Sequence, residues 1–92
     1  MDYRASRGFE KVLKRLHPHE KMDVQRTTDA LVRAFEAGSV PIGLGLKKLG
    51  GPLWEIRINL SLRILFEWQK KSVTFLFIGN HNEVQQFLRH YL

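Results

Sequence analysis

The chain has 92 residues, no cysteine and a formal net charge of +6, and these figures exclude several classes of protein. Its length allows one folded domain with one core, so a two-domain enzyme is excluded. Without cysteine there are no disulfides, thiolate metal sites or cysteine nucleophiles, which fits a reducing compartment. No segment approaches the roughly 18 consecutive apolar residues of a membrane helix, and Met1–Arg4 lacks the apolar stretch of a signal peptide, so we expect a soluble, cytoplasmic protein without membrane contact.

Positive charge is spread along the whole chain. Residues 1–20, 21–50 and 51–92 each carry five basic and three acidic side chains. An evenly distributed excess predicts attraction to a polyanion, either a nucleic acid or an acidic protein. A surface that is basic only for solubility would have the same composition, so the charge alone leaves these alternatives open.

Two amphipathic helices are predicted in the first half of the chain. Apolar side chains with helical spacing lie at Phe9, Val12, Leu13 and Leu16. Pro18 ends this helix, and Tyr3–Ser6 is long enough for a short strand ahead of it. A second helical pattern leads to Gly38, a residue expected just after a helix end, and consists of Val24, Thr28, Leu31, Val32 and Phe35. We therefore predict two antiparallel helices within residues 7–37.

The next segment changes from irregular structure to a strand. Five of the seven glycines lie between Gly38 and Gly51, which predicts an irregular connection that includes Lys47–Lys48. Apolar and polar side chains then alternate over Leu53–Leu60. Such alternation predicts a strand with one buried face and one solvated face. The buried side would hold Trp54, Ile56, Ile58 and Leu60.

The remaining sequence predicts a hairpin and a final helix. Leu62–Trp68 and Ser72–Ile78 are apolar runs joined by three polar residues, and the second run is predicted to be the central strand because residues 75–78 are apolar throughout. Asn80 and Glu83 form a predicted capping box. The stripe of this helix, expected to pack on the sheet or on a neighbouring chain, is Val84, Phe87, Leu88 and Tyr91.

These elements predict a small single α+β domain over residues 1–92 with the order (β)ααβββα. It has an antiparallel sheet, two N-terminal helices packed on one face and a C-terminal helix. We place the helices on one side of the sheet.

Two familiar binding motifs are excluded. Gly45–Gly50 has the GxxxxG spacing of a phosphate loop, but Gly51–Pro52 stands where Lys-Ser/Thr is required, and a strand follows instead of a helix. His17–Glu20 contains two histidines but too few further ligands for a metal site. We predict a solvated helix junction there, with no metal and no cofactor.

A charged cluster on the predicted sheet is the candidate site. The alternation predicts that Glu55 and Arg57 point to the solvated face of their strand. Antiparallel pairing with the next strand would place Arg63 opposite or diagonal to Arg57. His81 falls in the first turn of the last helix, where backbone N–H groups favour an anion. Lys47–Lys48 would approach from the glycine-rich connection.

These residues include the groups that metal-independent RNA cleavage needs. Attack by the 2′-hydroxyl requires a base, cations for the phosphate and an acid for the leaving oxygen. Arg57 and Arg63 offer guanidinium donors, Glu55 is a candidate base, and His81 is a candidate acid or base. A purely structural interpretation stays open: Glu55 and Arg57 form a surface ion pair, carbonyls satisfy Arg63, and His81 belongs to the capping turn.

The sequence also resembles a known family. Gly45–Ile58, followed by Leu62–Phe66, resembles the core signature of the RelE/ParE superfamily of type II toxin-antitoxin systems, especially its HigB and RelE-type branches. Tyr3–Leu16 is similar to the first strand and helix of the family, and Ile78–Glu83 to its last strand and following turn. The resemblance therefore covers nearly the whole chain.

This resemblance implies a RelE-like fold and a toxin that inhibits translation. The implied activity is that of an mRNA interferase, a metal-independent endoribonuclease that cleaves mRNA in the ribosomal A site and contacts ribosomal RNA. The implied partner is a cognate antitoxin, through which alone the protein would contact operator DNA. Two alternatives remain open: a ParE-like DNA gyrase inhibitor without nuclease activity, and an inactive homologue that only binds an antitoxin.

The resemblance also implies roles for single residues. Arg63 matches the arginine that contacts the scissile phosphate, and Arg57 matches a basic strand position. Glu55 departs from the RelE pattern, in which lysine is usual, although other branches place a glutamate base nearby. His81 falls near a catalytic histidine of some branches. Tyr91 could imitate a tyrosine that stacks on a base, although its place in the apolar stripe favours packing.

Overall fold

A computed structural model describes residues 1–39 and 45–91 and shows a five-stranded sheet with helices. The sheet order is β1-β5-β4-β3-β2, with β1 parallel to β5 and the other neighbours antiparallel. This architecture confirms the predicted α+β class. The elements are β1 (Asp2–Ala5), α1 (Arg7–Arg15), α2 (Pro18–Glu36), β2 (Leu46–Gly50), β3 (Leu53–Arg57), β4 (Arg63–Gln69), β5 (Ser72–Gly79) and α3 (His81–Tyr91).

Side-chain caps begin the first two helices. The Ser6 hydroxyl accepts a hydrogen bond from the Phe9 N–H at 3.1 Å, and it also donates to the Leu76 carbonyl at 3.0 Å. His17 caps α2 in a capping box with Glu20. The predicted junction at His17–Glu20 is confirmed, and Gly38 follows the C-cap of α2 with a φ of 71°.

The hydrophobic core lies between the sheet and the two N-terminal helices. Leu31 of α2 and Phe66 of β4 are fully buried, and the Phe66 ring lies 6.2 Å from the Phe75 ring and 6.5 Å from the Phe35 ring. We call this side of the sheet the core face. Its strand residues are Trp54, Ile56, Ile64, Phe66, Trp68, Val73, Phe75 and Ile78.

A β-bulge in β5 divides the strand between the two faces. Leu65 of β4 lies opposite Phe77, and the next residue, Phe66, lies opposite Phe75, so Leu76 is the extra residue. Phe75 therefore points to α1, where its ring lies 5.5 Å from that of Phe9. Phe77 points to the other side of the sheet.

We call this other side the charged face. Its residues, read across the strand pairs, are Lys47, Leu53, Glu55, Arg57, Arg63, Leu65, Glu67 and Phe77. The Phe77 ring stacks on the Phe87 ring of α3 at 4.9 Å, and Val84 of α3 is fully buried. Helix α3 therefore packs on the charged face over β5 and β4, and the prediction of all helices on one side is wrong for α3.

Two strand predictions need correction at the edge of the sheet. Leu46–Gly50, which we predicted to be irregular, forms the edge strand β2. The sequence pattern did not indicate this strand, because four residues between two glycines are too few to show an alternation. This added strand makes β4 the middle strand, so the prediction that Ser72–Ile78 is central is wrong. Residues 40–44 of the predicted irregular connection lie outside the described residues.

Strand β3 is shorter than predicted. It ends at Arg57, because the Asn59 side chain accepts hydrogen bonds from the backbone N–H groups of Ser61 and Leu62, each at 2.8 Å. This turn places Leu60 in solvent with 92% of its surface exposed, so its predicted burial is wrong. Within residues 1–39 and 45–91, no helix combines the length and hydropathy needed to cross a bilayer.

Candidate active site

Two arginines face each other where β3 ends and β4 begins. Arg57 and Arg63 are direct cross-strand partners, which confirms the predicted proximity, and Gly79 of β5 is the next partner of Arg63. Like charges in direct opposition repel each other. We call Arg57 and Arg63 the arginine row; their repulsion is relieved by a nearby anion, either from the protein or from a ligand.

Glu55 supplies one negative charge beside the row. Its Oε2 lies 3.3 Å from Nε of Arg63, and their side chains are 11% and 15% exposed. The prediction of a solvated patch is therefore wrong at Glu55, and its ion-pair partner is Arg63 instead of Arg57. The contact uses Nε, which is one of the three nitrogens of the guanidinium group.

Arg63 and His81 line the same shallow cleft. Its volume is about 340 Å³, and its other walls come from the β3–β4 turn and from the start of α3, namely Leu60, Ser61, Asn80 and Asn82. The predicted capping box is confirmed, since Asn80 and Glu83 exchange hydrogen bonds of 2.8 and 2.9 Å. The cleft thus combines a guanidinium group, an imidazole and a helix N-terminus, which together suit an anionic ligand.

The two predicted phosphate-binding lysines lie on opposite faces of the sheet. Lys47 is the cross-strand partner of Glu55, which places it on the charged face. Lys48 is the partner of Trp54, and its Nζ lies 5.9 Å from the centroid of that ring on the core face. The structure therefore places Lys47 on the same face as the arginines and Lys48 on the opposite face.

Solved structures similar to this chain include toxins and toxin-antitoxin complexes. The RelB-RelE antitoxin-toxin complex from Methanococcus jannaschii gives a TM-score of 0.68 at 17% identity, over 91% of this chain and 96% of that chain. The DinJ-YafQ complex of E. coli gives 0.69 at 14% identity, over 90% and 96%. The YoeB/ParE toxin from Agrobacterium tumefaciens gives 0.66 at 16% identity, over 88% and 99%. The chain has the RelE-type toxin fold. No protein-family model and no curated protein gives a significant match to its sequence.

Within this RelE-type fold, Tyr91 lies away from the cleft. Ten residues of α3 separate it from His81, which corresponds to about 15 Å along the helix axis. Its ring stacks on Phe87 at 5.6 Å, and its hydroxyl donates a hydrogen bond to Glu67. This hydrogen bond, together with partial burial and the carboxylate charge, raises the pKa of Tyr91. Tyr91 is 42% exposed. Its ring therefore packs on Phe87, and part of the residue stays accessible to solvent.

Gly79 is a residue of the candidate site that the sequence patterns did not indicate. A Cβ atom there would lie 2.9 Å from Cβ of Glu83 and 2.7 Å from Cε2 of Phe77. Only glycine lets the first turn of α3 approach the end of β5, which brings His81 beside Arg63. The available signal was a glycine placed directly between an apolar strand and a helix N-cap.

The described residues provide little for a metal. Within residues 1–39 and 45–91, no three or more His, Asp or Glu side chains group together as potential ligands. The same residues contain no buried side-chain nitrogen or oxygen without a hydrogen-bond partner.

Proposed function

We propose that this protein is the toxin of a toxin-antitoxin pair and that it inhibits translation as an endoribonuclease acting on mRNA in the ribosomal A site. The observation that carries the proposal is the pairing of Arg57 with Arg63 beside the cleft that contains His81. The RelE-type fold and the toxin-antitoxin complexes among its structural neighbours support the toxin role.

The proposed reaction is internal displacement at one phosphate of the RNA. The 2′-hydroxyl loses its proton and attacks phosphorus, the bond to the 5′-oxygen breaks, and that oxygen takes up a proton, which leaves a 2′,3′-cyclic phosphate. Arg63 and Arg57 donate hydrogen bonds to the non-bridging oxygens as negative charge increases in the transition state. His81 lies at the rim of the cleft, where it transfers one of the two protons.

Glu55 has two candidate roles in this reaction. It is a candidate base, but its burial and its ion pair with Nε of Arg63 favour a second role, in which it orients the Arg63 guanidinium. Glu55→Gln distinguishes the two roles. If Glu55 is the base, Glu55→Gln should remove the acidic limb of the pH–rate profile. An orienting residue leaves that limb in place and lowers kcat, while RNA binds more tightly because one negative charge is gone.

Arg63→Ala tests the site directly. Removing a transition-state donor costs roughly 10²–10³ in kcat, so we expect this variant to lose growth inhibition and cleavage of ribosome-bound mRNA. Circular dichroism and antitoxin binding should show that it still folds. Lys70→Ala is the matched control, because it removes one positive charge at the far end of β4. Undiminished toxicity of Arg63→Ala would contradict the assignment.

A gyrase inhibitor is the second candidate function. Its support is the fold shared with a YoeB/ParE toxin, whereas the arginine pair and His81 favour the nuclease. Inducing the protein in cells and following labelled amino acid and labelled thymidine separates the two. We expect amino-acid incorporation to stop first, and prompt loss of DNA synthesis with translation intact would support the gyrase function instead.

An acidic antitoxin segment is the proposed protein partner. An apolar groove of about 330 Å³ lies between α1 and α2, and its lining includes Phe9, Leu13, Val24, Thr28 and Lys21. Apolar walls with a cationic rim suit an amphipathic segment that folds on binding. Thr28→Arg would fill this groove and should abolish co-purification with the acidic product of a neighbouring reading frame. Met22→Arg, on an exposed part of α2 outside the groove, is the control.

A further inference from the structure

Gly45 lies directly beside Arg57, just before β2 begins. Its carbonyl accepts a hydrogen bond from the Arg57 N–H at 3.3 Å. A Cβ atom on Gly45 would lie only 2.9 Å from Cβ of Arg57, closer than two side chains can approach. The row across the charged face therefore reads Gly45, Arg57, Arg63, Gly79, with a residue that lacks a side chain at each end.

The contact involves the rigid part of the arginine. Cβ is fixed by the strand backbone, so a side chain at position 45 cannot be accommodated by a rotamer change at the tip of Arg57. The strand end itself must shift instead. Such a shift would change the spacing between Arg57 and Arg63, which have to meet the same phosphate.

We infer that Gly45 is a positioning residue for Arg57, and that its missing side chain holds the arginine at the spacing from Arg63 that one RNA phosphate requires. This inference rests on the proposed nuclease function for the identity of the ligand. The geometric part, that Gly45 sets the position of Arg57, is independent of that function.

Two other glycines provide a matched control. Gly45, Gly38 and Gly51 have φ values of 72°, 71° and 53°, a region in which any other residue is strained. Apart from chain neighbours, no described residue has an atom within 4 Å of a Cβ built on Gly38 or Gly51. The alanine variants of Gly38 and Gly51 therefore add backbone strain alone, whereas Gly45→Ala adds strain and the contact with Arg57.

The first measurement is cleavage of ribosome-bound mRNA in a single turnover. A displacement of about 1 Å in a positioning group can cost roughly a hundredfold in rate, and since Arg57 is long enough to recover part of its reach, we expect a loss of about tenfold for Gly45→Ala. Gly38→Ala and Gly51→Ala should cleave at the wild-type rate. In an Arg57→Ala background, Gly45→Ala should cause no further loss.

The second measurement needs no enzymatic activity. Inorganic phosphate is titrated into the protein while NMR records the Nε–Hε signals of the arginines. In the wild type we expect the signals of Arg57 and Arg63 to shift together with one apparent affinity. In Gly45→Ala the Arg57 shift should be reduced several-fold, while the Arg63 signal still responds.

The outcomes separate this inference from the proposed function. Absence of nuclease activity in the wild type overturns the nuclease function. If the two arginines of that protein still respond to phosphate together, and Gly45→Ala weakens the Arg57 response, the positioning role is supported. Gly45→Ala with wild-type cleavage and wild-type phosphate shifts overturns the positioning role alone. Equal losses in Gly45→Ala and Gly51→Ala, or a further loss in the Arg57→Ala background, also overturn it.

Discussion

The two faces of the sheet differ in how far their side chains are covered by helices. The core face is covered by α1 and α2 and buries side chains such as Phe66 and Leu31 completely. Within residues 1–39 and 45–91, the charged face is covered by α3 over β5 and β4, and it keeps the arginine row beside an open cleft. Burial of apolar area on one face supplies most of the folding free energy, so the other face can hold like charges in opposition.

The largest expected effect is on the core face. Phe66→Ala removes a fully buried ring between Phe35 and Phe75 and should lower the free energy of unfolding by about 3–5 kcal/mol. Phe87→Ala on the charged face should cost less, because Phe87 is only partly buried. Urea unfolding of both variants measures the difference. Equal losses would show that α3 supports the fold as strongly as the core does.

The N-caps of α1 and α3 give the next comparison, with smaller expected losses in the free energy of unfolding. Asn80→Ala removes the N-cap of α3 and should cost about 1 kcal/mol. Ser6→Ala removes the N-cap of α1 and also the hydrogen bond to the Leu76 carbonyl, so it should cost about 1 kcal/mol more. Chemical unfolding checks the order. A greater loss for Asn80→Ala would contradict the separation between a stabilising face and a functional face.

The smallest effect is a pH dependence in the two tyrosines. Burial, followed by the hydrogen bond to Glu36 and the charge of that carboxylate, raises the pKa of Tyr3 from 10.0 to about 12. The protonated form is therefore favoured by folding, so the stabilisation is complete below pH 10 and is lost as the pH rises towards 12.

Phenolate absorbance and unfolding at alkaline pH check this behaviour. Tyr3→Phe should remove the upper absorbance step and most of the loss of stability between pH 10 and 12. The Tyr91 pKa is also raised, chiefly by its hydrogen bond to Glu67, so Tyr91→Phe is the comparison on the charged face. Ionisation of Tyr3 at its ordinary pKa would show that the β1–α2 contact is absent in solution.

Regular patterns in the sequence predicted the elements whose stabilising interactions are local. The helical stripes of α1 and α2, the capping box at Asn80 and the hairpin of β4 and β5 all follow from neighbouring residues. Edge strand β2 depends on pairing with β3, and the turn that exposes Leu60 depends on the Asn59 side chain. Neither interaction is visible in the hydrophobic pattern, which therefore misassigned both segments.

The candidate site shows the same division. Opposition of Arg57 and Arg63 was predictable, because two strands joined by a short turn fix their own register. The partner of Glu55 was not predictable, since the ion pair with Arg63 depends on how deeply the carboxylate is buried. The opposite directions of Lys47 and Lys48 follow from the alternation of β2 once that segment is known to be a strand.

The extra residue at Leu76 has a consequence for how the chain tolerates change. It shifts the alternation of β5 by one position, so the first half of the strand contributes to the core face and Phe77 and Gly79 contribute to the charged face. Deleting Leu76 would restore strict alternation and leave Phe77 opposite Leu65 on the charged face. It would also remove the carbonyl that accepts the hydrogen bond from the Ser6 hydroxyl. Because that acceptor belongs to the backbone, every substitution of Leu76 keeps it, and a deletion should be more harmful than a substitution.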